Sequence, residues 1–358
     1  SLHSYPLGKT PSDWNLLQKI LYAIEDNLKY KTLLGKFKPD IIYTWKLAGI
    51  SRTLIPLIFN SNARKVVDVS SEWLRKVATQ HGPIYRKIER QPKSSLREIA
   101  IVRLGQGWKG VSLGTILNEY RLDFSNTKGY FTSQSNKDLH SKTIKNCEEF
   151  KVIYTGVAVD DFPYIEKKFD PKRLNLLYVG RISADKGFFL LLNQLDFLRS
   201  KTDLAISLNV IGNYNNPEEQ KRVNKTLKSL QLLDNVKFKG NIRREYLFNF
   251  YQQADFTVFP SIWQEPFSRV PLESMSCGTP CISTDNPGSQ ELFDMKAPLL
   301  FLSRERDGLF RAIEPFLNNQ KRYKDISLHG RKFIEEAFTF DHFMQKVQSN
   351  FLNLQEKN

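Results

Sequence analysis

The stretch "LNLLYVGRISADKGFFLLLNQLDFLRS" (residues 174–200) opens with a short, largely apolar run that stops at Gly180, crosses a polar turn, and after Gly187 resumes with apolar residues at helical spacing. The first piece reads as a buried strand and the second as a helix. The same unit then recurs. "AISLNVIG" (205–212) precedes "EEQKRVNKTLKSLQL" (218–232), and "NVKFKG" (235–240) precedes "REYLFNFYQQ" (244–253). "DFTVFPS" (255–261) leads into "SRVPLESMSCG" (268–278), and "PCIST" (280–284) into "GSQELF" (288–293). Strict strand–helix alternation predicts an α/β fold with a parallel, doubly wound sheet, whose ligands gather at the carboxyl ends of the strands.

The first half alternates less cleanly. A helix over "WNLLQKILYAIEDNLKYKTLLGKF" (14–37) is followed by strands at 39–45, 65–70, 129–134 and 150–157. The polar segment 158–173, with two prolines, reads as a linker. A chain of 358 residues exceeds one comfortable core. Two domains are expected, over residues 1–160 and 161–340, with a last helix in 341–358 packing back toward the first.

Composition narrows the function. With 41% hydrophobic and 25% charged residues, the chain should fold as an ordinary globular protein. Its most apolar runs, "GFFLLLNQL" and "TLIPLIF", fall short of the roughly 18 residues a membrane span needs. Cys147, Cys277 and Cys281 follow no secretory signal, so reduced thiols and a cytoplasmic setting are expected. "CGTPC" has no second cysteine pair or nearby histidine to complete a metal site, so its cysteines read as small core residues. The net charge of +15 is uneven: residues 1–150 hold 24 Lys+Arg against 13 Asp+Glu, the remainder 29 against 25. The segment 86–110 concentrates it. A solvated basic face is the first reading there and an anionic membrane surface the second; no nucleic-acid motif accompanies the charge.

Two stretches carry chemistry. In "YVGRISADKG", Gly180 ends a strand, Arg181 follows it, and Lys186 stands where the next helix begins. Glycine admits a ligand to the backbone, a helix start offers free N–H groups, and two cations five apart can grip a diphosphate. A tight turn with surface cations is the plainer alternative. In "WQEPFSRVPLESMSCGTP" (263–280), the N–H groups of Ser268, Arg269 and Val270 should open a helix toward an anion. Glu273 lies about one turn further, where a carboxylate can accept both hydroxyls of a ribose. Glu265, on the preceding loop, can reach a sugar hydroxyl or charge developing at an anomeric carbon. Alone, two glutamates at this spacing would usually be solvated surface groups.

Together with "VIYTGVAVDDF", "LNVIGN" and "DNPGSQELF", these pieces resemble, in order and spacing over roughly residues 129–345, the retaining glycosyltransferase family numbered four. The resemblance implies a GT-B fold, two facing Rossmann-like domains with parallel sheets. It implies a retaining, hexosyltransferase-type transfer of sugar from a nucleotide diphosphate donor to a hydroxyl of a glycan or lipid-linked acceptor, without metal or other cofactor. Arg181 and Lys186 would hold the diphosphate, Glu273 the ribose, and Glu265 the donor sugar. Phe267 and Ser268 would contact sugar or phosphate, and Asn241 and Ile242 would border the base.

The chain departs from the pattern in places. Ser268 replaces a glycine, leaving less room beside the donor, and Pro287 stands where a first glycine is usual. The chain opens on Ser rather than Met and reaches "KFKPDIIYTW" by residue 39, so the family's first strand–helix units are missing, through truncation or abbreviation. Ser70, Ser71 and Glu72 are the polar candidates on the acceptor side. The alternative function is a nucleotide-sugar-binding pseudoenzyme or scaffold. With transfer as the first reading, the basic half fits peripheral attachment at the inner face of an anionic membrane.

Overall fold

Every strand pairing in the described residues is parallel, as the alternation of strands and helices predicts. The computed structural model describes residues 16–47, 54–59, 61–71, 73–74, 124, 127–142, 144, 147–170 and 172–352. The chain divides into two units, residues 1–152 with 350–358, and residues 153–349. The basic segment 86–110 and Glu72 lie outside the described residues.

The first unit contains α1 (Leu16–Phe37), β1 (Ile41–Trp45), α2 (Leu54–Phe59), β2 (Arg64–Val69), β3 (Thr127–Phe131), α3 (Gln134–Ser141) and β4 (Lys151–Val152). Its four strands among the described residues lie in sequence order, and Val67, Val69, Phe131 and Phe150 bury their side chains in one cluster. The strand expected over 129–134 stops at Phe131 because Ser133 turns to cap α3, its hydroxyl accepting from Asn136 N at 3.1 Å. The strand expected over 150–157 shrinks to Lys151–Val152. The Val157 backbone bonds instead to Phe338 O and Phe340 N, both at 2.8 Å.

In the second unit, β5 (Arg173–Val179), α4 (Phe188–Lys201), β6 (Ala205–Ile211), α5 (Pro217–Ser229) and β7 (Val236–Gly240) build one wing. A 3-10 turn (Arg244–Tyr246) leads into α6 (Leu247–Gln253). Then β8 (Phe256–Phe259), α7 (Arg269–Ser276), β9 (Cys281–Ser283), α8 (Pro287–Asp294) and β10 (Leu300–Phe301) build the other. Helices α9 (Gly308–Leu317), α10 (Gln320–Ala337) and α11 (Phe340–Leu352) follow. The strand order β10-β9-β8-β5-β6-β7 reverses direction between β5 and β8. That is the switch point at which an open parallel sheet leaves a crevice.

Strand β5 is apolar on both faces because both are covered. Leu174, Leu176 and Tyr178 join the cluster containing Leu191, Leu195 and Leu198 of α4, while Leu177 joins Phe259, Leu272 and Met275. Each fully buried leucine contributes roughly 1.5–3 kcal/mol, so these faces fix the register. Cys277 and Cys281 are buried free thiols within the second cluster, the core role read from their sequence. Burial pushes the Cys277 thiol up to about 12. Among the described residues no helix is long and apolar enough to cross a membrane.

Candidate active site

The crevice beside β5 and β8 is a cavity of about 540 Å³, within the range of small-molecule sites. Gly180, Arg181, Lys186, Ile242, Glu265, Phe267, Ser268, Arg269, Val270 and Glu273 all line it. Asn241 does not; it is exposed just past the end of β7. Tyr178 and Arg244 line it as well.

Two loops form the floor, and they are bound to each other. The carbonyl of Asp185 accepts from Ile262 N at 3.1 Å and Trp263 N at 3.0 Å. Gly187 has φ +70°, and a Cβ there would lie 1.8 Å from Pro260 O, so only glycine lets α4 begin this close to the β8 loop. Arg181 is drawn to Asp185 at 3.4 Å and Asn215 at 3.3 Å. Lys186 donates to Glu265 Oε1, which Ser261 Oγ also reaches at 3.2 Å.

The α7 end differs in detail from its sequence reading. Ser268 is the N-cap and its hydroxyl accepts from Val270 N at 3.3 Å. One N–H expected to face an anion is therefore engaged by the serine that replaces glycine. Arg269 opens the helix, is exposed, and makes no ion pair among the described residues. Desolvation, then neighbouring Arg244, lowers its pKa from the ordinary value.

Glu273 is 4% exposed. Its Oε2 accepts from the Tyr251 hydroxyl at 3.0 Å, and its Oε1 lies 3.1 Å from Arg244 Nη2. Burial raises the carboxyl above its ordinary pKa, opposed by Arg244, the Tyr251 hydroxyl and Arg269. Neither Arg244 nor Tyr251 was anticipated from sequence. Their signal is the spacing in "REYLFNFY", seven residues or about two helical turns, which puts both on one face. Behind them Lys167 donates to Tyr251 O at 2.7 Å, to Ala254 O and to Thr279 Oγ1 at 2.5 Å, and so closes the end of α6.

The sequence model for the family described as "Glycosyl transferases group 1" matches residues 164–333. Over those residues the chain is similar to group 1 glycosyltransferases. The matched segment holds the entire cavity. Sucrose-phosphate synthase of Thermosynechococcus elongatus shares the fold at a TM-score of 0.68 and 19% identity, over 100% of this chain and 83% of that one. Anabaena HepE, solved in complex with UDP, does so at 0.65 and 16% identity, over 91% and 82%. The fold is thus that of GT-B glycosyltransferases. A 42.6 kDa protein of the Klebsiella pneumoniae cps region is 27% identical over 82% of this chain and 69% of its own length. Against most of the curated relatives it matches, the chain spans about half their length.

Among the described residues no cluster of three His, Cys, Asp or Glu could hold a metal ion. In the first unit, Ser70 and Ser71 are half-buried after β2. The more enclosed polar group is Asp68, whose Oδ2 accepts from Tyr130 at 2.8 Å and Tyr43 at 3.1 Å. Burial raises its carboxyl above the ordinary value, against the hydrogen bonds from Tyr130, Tyr43 and Ser70.

Proposed function

We propose that this protein transfers a sugar from a nucleotide diphosphate donor to a hydroxyl of a glycan or lipid-linked acceptor, with retention of configuration and without a metal. The observation that carries the reading is that Arg181, Lys186, Glu265 and Glu273 line one cavity at the switch point of the sheet. Four cations line it, Arg181, Lys186, Arg244 and Arg269, against two carboxylates, Glu265 and Glu273. That surplus suits a diphosphate diester carrying about two negative charges. The UDP complex of HepE, which has the same fold, supports uridine nucleotides as the first to try.

In this reading the diphosphate lies against Arg181, Lys186 and the opening of α7, and the ribose against Glu273. As the bond from anomeric carbon to phosphate oxygen breaks, the two cations hold the charge gathering on the leaving group. The acceptor oxygen bonds to the same face of that carbon, and a phosphate oxygen of the leaving group takes its proton. Glu265 steadies the donor sugar. The basic segment 86–110 would hold the protein on an anionic membrane, where a lipid-linked acceptor lies.

Calorimetry over UDP-, GDP-, ADP- and dTDP-sugars, with Glu273→Ala as control and product formation followed in parallel, tests the reading. One preferred donor, lost in the variant and turned over by the parent, supports it. Binding without turnover points to the binding-module alternative, and no binding refutes the donor site.

A further inference from the structure

Both carboxylates of the cavity are occupied by the protein's own cations. Lys186 donates to Glu265, and Arg244 pairs with Glu273 at 3.1 Å. The second pair is the informative one, because the two oxygens of Glu273 have different neighbours. Oε2 belongs to Tyr251, which is fully buried and absent from the cavity lining. Oε1 belongs to Arg244, which lines the cavity and keeps 41% of its side chain exposed. The Arg244 guanidinium also rests over the Phe162 ring, 5.3 Å from its centre. It can leave Glu273 without opening the core, whereas Tyr251 cannot.

We infer that Arg244 competes with the donor: it holds the oxygen of Glu273 that ribose hydroxyls need, so nucleotide capture is an exchange in which ribose displaces the guanidinium. The inference rests on the nucleotide-sugar reading above. A ligand without ribose hydroxyls offers Glu273 nothing and leaves the pair intact. Its phosphates still meet Arg181, Lys186 and Arg269. The pair with Arg244 thus lowers affinity for ribonucleotides in particular, by the fraction of molecules in which Glu273 is engaged.

The test compares uridine diphosphate with its 2′,3′-dideoxy counterpart, and the guanosine and adenosine pairs likewise, by calorimetry on the parent protein, Arg244→Ala and Arg244→Gln. The ratio of the two affinities cancels the loss of one positive charge, which both ligands feel equally. In each variant the ribose-to-dideoxy ratio should rise about three-fold or more. A ratio unchanged or lower in either variant, with both ligands still binding, overturns the exchange and leaves the donor site standing. If no nucleoside diphosphate binds the parent protein, the donor site itself is refuted, and the exchange falls with it.

Discussion

Tyr251 and Glu273 meet at 3.0 Å with the tyrosine fully buried, so the carboxylate assigned to ribose is aimed by a hydroxyl from a neighbouring helix. Removing that hydroxyl leaves Glu273 Oε2 enclosed without a donor, which costs about 1–3 kcal/mol. Tyr251→Phe should lower the denaturation midpoint and weaken nucleoside diphosphate binding about ten-fold, with pyrophosphate binding unchanged. Equal losses for both ligands would show that Tyr251 serves the core alone.

Lys186 reaches both Glu265 and the cavity. Lys186→Ala should cut kcat about a hundred-fold or more by removing a cation aimed at the leaving diphosphate. Lys186→Arg should restore part of it. Steady-state rates within a few fold of the parent's would remove Lys186 from the chemistry.

Lys167 sets a pH dependence of stability. Burial lowers its ammonium from 10.5 to about 7, against the pull of Asp255 and Cys277. Below that value the folded and unfolded chains both keep the proton, so it contributes no slope. Above it the folded chain releases a proton that the unfolded chain still binds, so stability rises with pH up to the unfolded value. The gain is lost again as pH falls through about 7. Between pH 7.5 and 9 it amounts to about 2 kcal/mol. Lys167→Met should flatten that rise in denaturant titrations at several pH values; a parallel curve would count against it.

Gly187→Ala should break the contact between the two floor loops. Its Cβ would stand 1.8 Å from Pro260 O at a left-handed φ, so the α4 start must move away from the β8 loop. A stability loss of more than about 2 kcal/mol and a marked fall in nucleotide affinity are expected from thermal unfolding and calorimetry.

The strand and helix order was legible because its signals are local. Buried strands such as "LNLLYV" read as short apolar runs, and helices such as "FFLLLNQLDFLRS" repeat every 3.6 residues, whatever lies elsewhere in the chain. Most cavity residues were legible too, because alternation locates the strand ends and helix starts near which they stand and the family resemblance singled out Glu265 and Glu273 there. The role of Ser268 was read from the family's glycine at that position, yet a serine before a helix caps it and occupies the Val270 N–H. Asp68 stands two residues before Ser70, and no local motif marks it as the more enclosed group. Its partners Tyr43 and Tyr130 are 25 and 62 residues away, on strands that meet only in the sheet.

What the sequence determined by itself is therefore the alternating architecture, the cysteines as core residues, and which side chains stand at the ends of β5 and β8. What only the tertiary structure decided is how those side chains are paired. Lys186 and Glu265 are 79 residues apart, and they touch because the sheet places β8 beside β5. Arg244 and Glu273 lie on different helical elements, the turn before α6 and α7 respectively, and no periodicity links them. Ion pairing depends on distances of a few ångströms between side chains that the chain brings together from afar. Hydrophobic periodicity describes each element separately and carries no such distance.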